Sequence, residues 1–230
     1  MDNNHTFLFQ GRSIEAVIFD LDGTLYDQTK MQTYMLLKLL KHYILRPHKL
    51  YELEILYYFR KKRYEAGGGE NIEDAQYQVT ADFLRVSKKE VREIVSFWIE
   101  EQPLSCMRAC LYVCMPEYFK QIHKRGIKIS VASDYPVEKK LVALGLTAEA
   151  VTCSTDKDIN AFKPSPEVFL LAAKKMNIAP EHCLVVGDRD EKDGEAARRA
   201  GMLFCHVDKI IQKSNIVTTK EFLSFFSYFQ

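Results

Sequence analysis

The chain is short of the features that would send it to a membrane, to an oxidising compartment or to a polyanion. No apolar run approaches the roughly 20 residues that span a bilayer. Ahead of residue 11 there is no basic stretch, and no apolar segment is longer than Phe7-Leu8-Phe9, so no secretory leader is expected. Neither sign of charge dominates: 32 Lys and Arg stand against 31 Asp and Glu. That balance leaves no long-range field to draw nucleic acid or an anionic membrane surface. The 6 cysteines include no Cys-x-x-Cys pair and no Cys/His cluster at zinc spacing. Cys106, Cys110 and Cys114 recur every four residues and would share one helix face. They are expected to be small apolar side chains packed inward, since thiolate ligands need partners that this stretch lacks. A reducing cytoplasm, with no nucleic acid and no membrane as partner, is the expectation from these absences.

What is present is an ordinary globular composition, 47% apolar and 27% charged over 230 residues. That length suffices for one buried core and a smaller module. Ala16-Val17-Ile18-Phe19 is a continuous apolar run ended by Asp20, Asp22 and Gly23, the pattern of a strand buried on both faces. Similar runs recur at 127–132, 183–186 and 202–205, each behind a helical pattern. Those patterns close at Gly126, Gly145 and Gly201, and the one at 166–176 starts behind Ser165, read as an N-cap before Pro166. The alternation predicts an α/β fold with a doubly wound, Rossmann-like parallel sheet.

Residues 28–105 break this rhythm. They read as four helices near 28–46, 48–65, 72–86 and 88–101, interrupted at Gly67-Gly68-Gly69. The expected division is a core from 1–27 and 106–230 with an all-helical cap, 28–105, over the sheet's carboxyl edge, where open α/β sheets bind ligands. Residues 219–229 predict a closing helix with Phe222, Phe225, Phe226 and Phe229 on its packed side.

Asp20 and Asp22, with one residue between them at the end of a buried strand, repel each other and are costly to desolvate. A divalent cation with a preference for hard oxygens, Mg²⁺ above all, reverses that sign. Side chains at i and i+2 of extended chain point the same way, and a turn at Gly23 would aim both at one ligand. Asp20-Leu21-Asp22-Gly23-Thr24 resembles the signature of the haloacid dehalogenase-like superfamily, and three further segments follow in that family's order. Ser133 resembles the family's phosphoryl-binding hydroxyl, although alone it reads as a turn residue. Lys163, held extended by Pro164, resembles the Lys-Pro motif, although a lone loop lysine is usually solvated. Gly187-Asp188-Arg189-Asp190-Glu191-Lys192-Asp193 resembles the family's Gly-Asp-x-x-x-x-Asp; Asp190 and Glu191 within it read as helix-start charges.

The resemblance covers residues 15–207, and it matches the helical segment only in size, placement and helicity. It implies a phosphatase in which Asp20 is the nucleophile that becomes an aspartyl-phosphate and Asp22 is the general acid and base. It further implies that Ser133 and Lys163 bind the phosphoryl group, and that Mg²⁺ is held by the Asp20 carboxylate, the Asp22 carbonyl and Asp188. Asp193 would then support the metal site as an outer ligand, and the substrate would be a small phosphomonoester. One departure stands out: relatives often carry Asn where this chain has Asp134, an extra negative charge near a dianion. Within the helical segment, Arg60 and Arg63 are the candidates to contact the leaving group, although the run Arg60-Lys61-Lys62-Arg63 suits a solvated face. Three other readings share the motifs: a phosphotransferase of the sugar-phosphate mutase type, a haloacid dehalogenase, which typically lacks an acid at the position of Asp22, and a noncatalytic phospho-ligand-binding module.

Overall fold

The computed structural model describes residues 7–66 and 71–207. The glycine run 67–69 and the expected closing helix at 219–229 lie outside the described residues. A short antiparallel hairpin, β1 (Phe7–Phe9) and β2 (Arg12–Ile14), opens the described chain. Five parallel strands follow: β3 (Ala16–Phe19), β4 (Lys128–Ser133), β5 (Ala150–Cys153), β6 (Cys183–Gly187) and β7 (Leu203–His206). Their order is β5-β4-β3-β6-β7. The chain moves outward from β3 on one side and then crosses back to β6 on the other, so the strand order reverses between β3 and β6. That reversal opens a crevice at the carboxyl ends of these two strands.

Strand periodicity sorts the core into two layers. Val17, Phe19, Ile129, Val131, Leu184 and Val186 face one apolar cluster, while Ala16, Ile18, Ala132, Cys183 and Val185 face another. Helices α5 (Leu104–Cys110), α6 (Met115–Lys124) and α7 (Glu138–Leu144) contribute to the first layer. Helices α8 (Glu167–Met176) and α9 (Glu195–Arg199) fill the second. The doubly wound sheet expected from the sequence is present.

Between β3 and β4 the chain forms α1 (Gln28–Leu45), α2 (Tyr51–Lys62), α3 (Ile72–Leu84) and α4 (Lys88–Val95). Side chains of Asp27, Asn71 and Ser87 cap α1, α3 and α4 by accepting from backbone N–H groups. Tyr43, Ile55, Phe59, Tyr77, Val91, Trp98 and their neighbours make a separate apolar cluster inside this insert.

Several local expectations are corrected. The helix expected at 48–65 is broken: a 3₁₀ turn at Pro47–Lys49 precedes α2, and another at Arg63–Glu65 follows it. The helix expected at 88–101 ends at Val95 and continues as a wide π turn, Ser96–Glu101, whose extra residue buries the adjacent Trp98 and Ile99 together. The expected boundary at 105/106 falls inside α5. Cys114 does not share a helix with Cys106 and Cys110, because Leu111 turns extended (ψ 132°) and ends α5. Cys110 is buried and the other two are half-buried. Ser165 does not begin α8: Pro166 precedes its first residue, Glu167, without a side-chain cap. The helix expected from 191 is a π turn, Asp190–Gly194, in which the Arg189 carbonyl accepts N–H groups from Lys192, Asp193 and Gly194, followed by the short α9. Strand β5 and the opening hairpin had no counterpart in the sequence reading.

Candidate active site

Asp20 lies one residue beyond β3, and its backbone N–H is held by the Val186 carbonyl at 2.8 Å, across the crevice. Asp188 follows β6 on the opposite wall. The two walls approach closely because Gly23 has no side chain. Its φ is +95°, and a Cβ there would lie 2.4 Å from Asp188 Oδ2. Gly187 makes similar room, since a Cβ on it would lie 2.6 Å from Asp193 Cβ.

Lys163 reaches the floor of the crevice with its side chain 0% exposed. Its Nζ donates to Asp20 Oδ1 at 2.6 Å, to Asp193 Oδ1 at 2.8 Å and to the Ala132 carbonyl at 3.2 Å, which uses all three ammonium hydrogens. Burial disfavours this charge, yet Asp20, Asp193 and Asp134 outweigh burial and hold the ammonium well above the ordinary lysine value. Asp20 is raised in turn: burial pushes its carboxyl up, the Lys163 charge pulls the other way, and Asp193 pushes up again. The Thr24 hydroxyl donates to the other oxygen of Asp20, at 3.3 Å.

Asp22 has different partners. Its Oδ1 accepts from Lys140 Nζ at 2.7 Å and from the Tyr26 hydroxyl, and its Oδ2 accepts from the Ser133 hydroxyl at 3.4 Å. Burial opposes ionisation here too, but Lys140 and Tyr26 prevail and hold this carboxyl below the usual range. Two carboxylates two residues apart are therefore driven in opposite directions, the pattern from which separate acid–base roles are assigned. Ser133 Oγ also accepts the Tyr135 N–H at 3.1 Å, which fixes the loop after β4.

The acidic cluster suits a hard cation. One oxygen from each of Asp20, Asp188 and Asp193 lies within 4.8 Å of the others. Asp188 Oδ1 is buried without a hydrogen-bond partner, and burial raises its carboxyl against the pull of Arg189. The Arg189 Nε lies 3.6 Å from that oxygen, beyond hydrogen-bond reach, and a buried carboxylate oxygen that accepts no hydrogen bond beside a second carboxylate fits Mg²⁺, which takes oxygen ligands. Asp193 is committed otherwise, with Oδ1 on Lys163 and Oδ2 on the Arg189 N–H at 3.2 Å.

The predicted residues thus divide. Asp20, Lys163, Asp188 and Asp193 converge in one cluster, and Asp22 with Ser133 lies beside it. From the insert, Arg63 is buried and donates from Nη2 to the Asp134 carbonyl at 2.7 Å. Arg60 is exposed and lines a groove made of insert residues alone, so the basic run is divided between a solvated face and a buried one. A cavity of about 200 Å³ separates the insert from the loop after β4, walled by Arg63, Gln76, Glu100, Asp134 and Tyr135 among others. Gln76 Oε1 and two guanidinium nitrogens of Arg63 are buried there without hydrogen-bond partners. Lys140, Tyr26 and Thr24 were not singled out by the sequence. The missed signal for Lys140 is its place at i+3 on the apolar stripe Val137, Leu141, Leu144.

Residues 14–201 match a family described as haloacid dehalogenase-like hydrolase. A glyceraldehyde 3-phosphate phosphatase of Methanopyrus kandleri is 35% identical over 86 residues, 36% of this chain and 37% of that protein. The match therefore spans little more than a third of that relative's length. A fructose-1-phosphate phosphatase of Escherichia coli is 27% identical over 190 residues, 81% of this chain and 93% of that protein. Among solved structures, a magnesium-bound HAD-hydrolase of Bacillus subtilis aligns with a TM-score of 0.60 at 16% identity, covering 93% of this chain and 99% of that one. That last likeness is one of fold.

Proposed function

The chain belongs to the haloacid dehalogenase-like hydrolase family, and we propose that it is a Mg²⁺-dependent phosphatase that hydrolyses a small phosphomonoester through an aspartyl-phosphate on Asp20. The observation that carries this reading is the buried cluster in which Lys163 bridges Asp20 and Asp193, while an oxygen of Asp188 beside them accepts no hydrogen bond and is paired only loosely with Arg189, at 3.6 Å.

In the first half-reaction an Asp20 oxygen attacks phosphorus as the bond to the leaving oxygen breaks, and Asp22 gives that oxygen its proton. In the second, Asp22 takes a proton from water, the water oxygen attacks phosphorus, and the Asp20–phosphorus bond breaks to release phosphate and the free carboxylate. Lys163 offsets charge on Asp20 and on the phosphoryl oxygens from a fixed, water-excluded position. Ser133 supplies a hydroxyl to the phosphoryl group once Asp22 turns to the leaving oxygen. Lys140 and Tyr26 orient Asp22 and keep it ionised at rest; arrival of a phosphate dianion beside Lys140 favours the protonated form needed first. Asp20, the Asp22 carbonyl and Asp188 would hold Mg²⁺, with Asp193 behind them, and the ion supplies electrophilic charge to the phosphoryl oxygens.

Residues 28–105 serve in this proposal as a lid over a core made of 1–27 and 106–230, with the alcohol part of the substrate lying toward the cavity beside Arg63. Among the described residues no helix is long and apolar enough to cross a membrane; a cytoplasmic location belongs to the proposal. The test is a panel of small phosphomonoesters with and without Mg²⁺, read as phosphate release, beside Asp20→Asn. The variant is expected to retain its far-UV circular dichroism and lose at least about 10⁴-fold in turnover, as nucleophile deletions do. Wild-type-like turnover by Asp20→Asn would overturn the assignment.

A further inference from the structure

Asp134 has no part in the chemistry above, yet contacts from four separate segments meet on it. It is buried, directly after Ser133. Its Oδ1 accepts from the Ser154 hydroxyl at 2.7 Å and from the Lys163 backbone N–H at 3.2 Å. Its Oδ2 accepts from the Tyr64 hydroxyl at 3.2 Å and lies 3.9 Å from Lys192 Nζ. Its carbonyl takes the Arg63 guanidinium. Arg63 and Tyr64 belong to the turn after α2, so the helical insert is seated on this one residue through both its main chain and its side chain.

Aromatic rings pack around that seat. The Arg63 guanidinium lies 3.8 Å from the centre of the Tyr135 ring and 4.8 Å from that of Phe162. The Tyr64 ring meets Phe162 at 5.1 Å and carries Lys192 Nζ 3.5 Å above it. A second link joins the insert to the same stretch of core, where Asn160 Oδ1 accepts the Ile72 N–H at 2.7 Å. Both links thus end on the segments that follow Ser133 and precede Lys163.

The chemistry explains why an acid stands here. Four donors face the two oxygens of Asp134, two on each. An amide offers one acceptor oxygen, and its NH₂ would confront the Lys192 ammonium and oblige the Tyr64 hydroxyl to turn from donor to acceptor. Only a carboxylate accepts on both sides at once.

We propose that Asp134 is a positioning residue, which couples the seating of the helical insert to the placement of Lys163 and Ser133. With the Arg63–Tyr64 turn docked, the carboxylate is pinned on its outer oxygen and fixes the Lys163 main chain with its inner one. With the turn away, the outer oxygen loses the Tyr64 hydroxyl, the carboxylate gains freedom, and the Lys163 main chain is held less firmly, although its ammonium keeps its own partners. The catalytic half of this inference rests on the phosphatase reading; the structural half does not.

Tyr64→Phe is the cleanest probe, because it deletes one hydroxyl on the insert and leaves every core contact of Asp134 intact. Amide hydrogen exchange is expected to quicken about tenfold at Lys163, although the deleted group bonds the opposite oxygen. An unchanged Lys163 amide would overturn the coupling. With p-nitrophenyl phosphate and Mg²⁺, Tyr64→Phe and Asp134→Asn should each lower kcat about tenfold with little change in KM. The double variant should be no worse than the weaker single one, as for residues acting through one contact. Multiplying losses would mean independent roles and sink the proposal. If Asp134→Asn does not fold, the Lys163 exchange in Tyr64→Phe still decides. A wild-type enzyme inactive on this ester speaks against the phosphatase reading alone, while an active one with an unaltered Lys163 amide speaks against the coupling alone.

Discussion

The strand ends of the core and the helical insert differ in how tightly each fixes its side chains. In the core, β3, β4 and β6 are buried almost throughout, and a residue's face follows from its place in the strand. Asp20, Ser133 and Asp188 sit at or just beyond those ends and inherit their positions from the register. In the insert, α1 buries Met31 and Tyr43 but leaves Leu36, Leu37, Leu40, Ile44 and Leu45 each more than half exposed. A helix that is apolar on several sides does not announce which side meets the core. Register fixes chemistry; helicity alone fixes only shape.

Three experiments bear on this contrast. The largest effect should come from a core residue that works through another. Lys140→Met removes the ammonium from Asp22 and is expected to lower kcat about 10²-fold, within the range of acid–base groups. Without Lys140 the Asp22 carboxyl titrates higher, so with hydrolysis of the aspartyl-phosphate limiting, where Asp22 acts as base, the acidic limb of the rate profile should move to higher pH. An unmoved limb would show that Asp22 is governed by something else. A smaller effect separates the two faces of the basic run in the insert. Arg63→Ala should lower kcat/KM about tenfold and reduce the melting temperature, since it leaves the Asp134 carbonyl unpaired in a buried place. Arg60→Ala should stay within about twofold of wild type, as exposed substitutions do; equal losses would erase the distinction.

The smallest effect concerns stability. Burial opposes the Asp134 charge, but Lys163, the Ser154 hydroxyl, Arg63 and Lys192 outweigh it and hold the carboxyl below its ordinary value. A carboxyl depressed in the folded state contributes stability above its unfolded pKa, about 3.9, and loses it as pH falls toward the folded value. Asp134→Asn should therefore be less stable than wild type at pH 7, with the gap narrowing below about pH 4. Urea midpoints at pH 7, 5 and 3.5 measure it, and a constant gap would refute the ionised role.

Much of the core was legible because its signals are local. Ala16–Phe19 followed by two acids and a glycine is a complete message within eight residues, and the Gly187–Asp193 segment is another. Strand β5 escaped because Thr152 interrupts its short apolar run, Ala150–Cys153, which the continuous run of β3 does not suffer. The hairpin escaped because its turn, Gln10-Gly11, has positive φ at both positions, with a glutamine where Asn or Asp would have signalled it. Lys163 bonded to Asp193 is a contact between residues 30 positions apart, which spacing alone does not reveal. Arg63 was separable from Arg60 in principle, since it extends the buried stripe Glu52, Ile55, Leu56, Phe59 by four residues. Asp134 was noticed only as an oddity, because its meaning lies in Tyr64 and Ser154, which no local pattern connects.

The bare Cα at position 23 has a wider meaning. The half of the sheet that begins with β3 and the half that begins with β6 meet there across a gap narrower than one methyl group, with an acid from the second half occupying the room. The smallest possible side-chain addition would push the Asp188 carboxylate out of its place at the reacting end, on a backbone whose φ of +95° already disfavours any side chain, and the atoms it meets are not those of the apolar layers beneath. Catalytic geometry and folding are thereby separable at a single atom: a chain altered only at this spot should still assemble its sheet while losing the alignment that the sheet exists to hold.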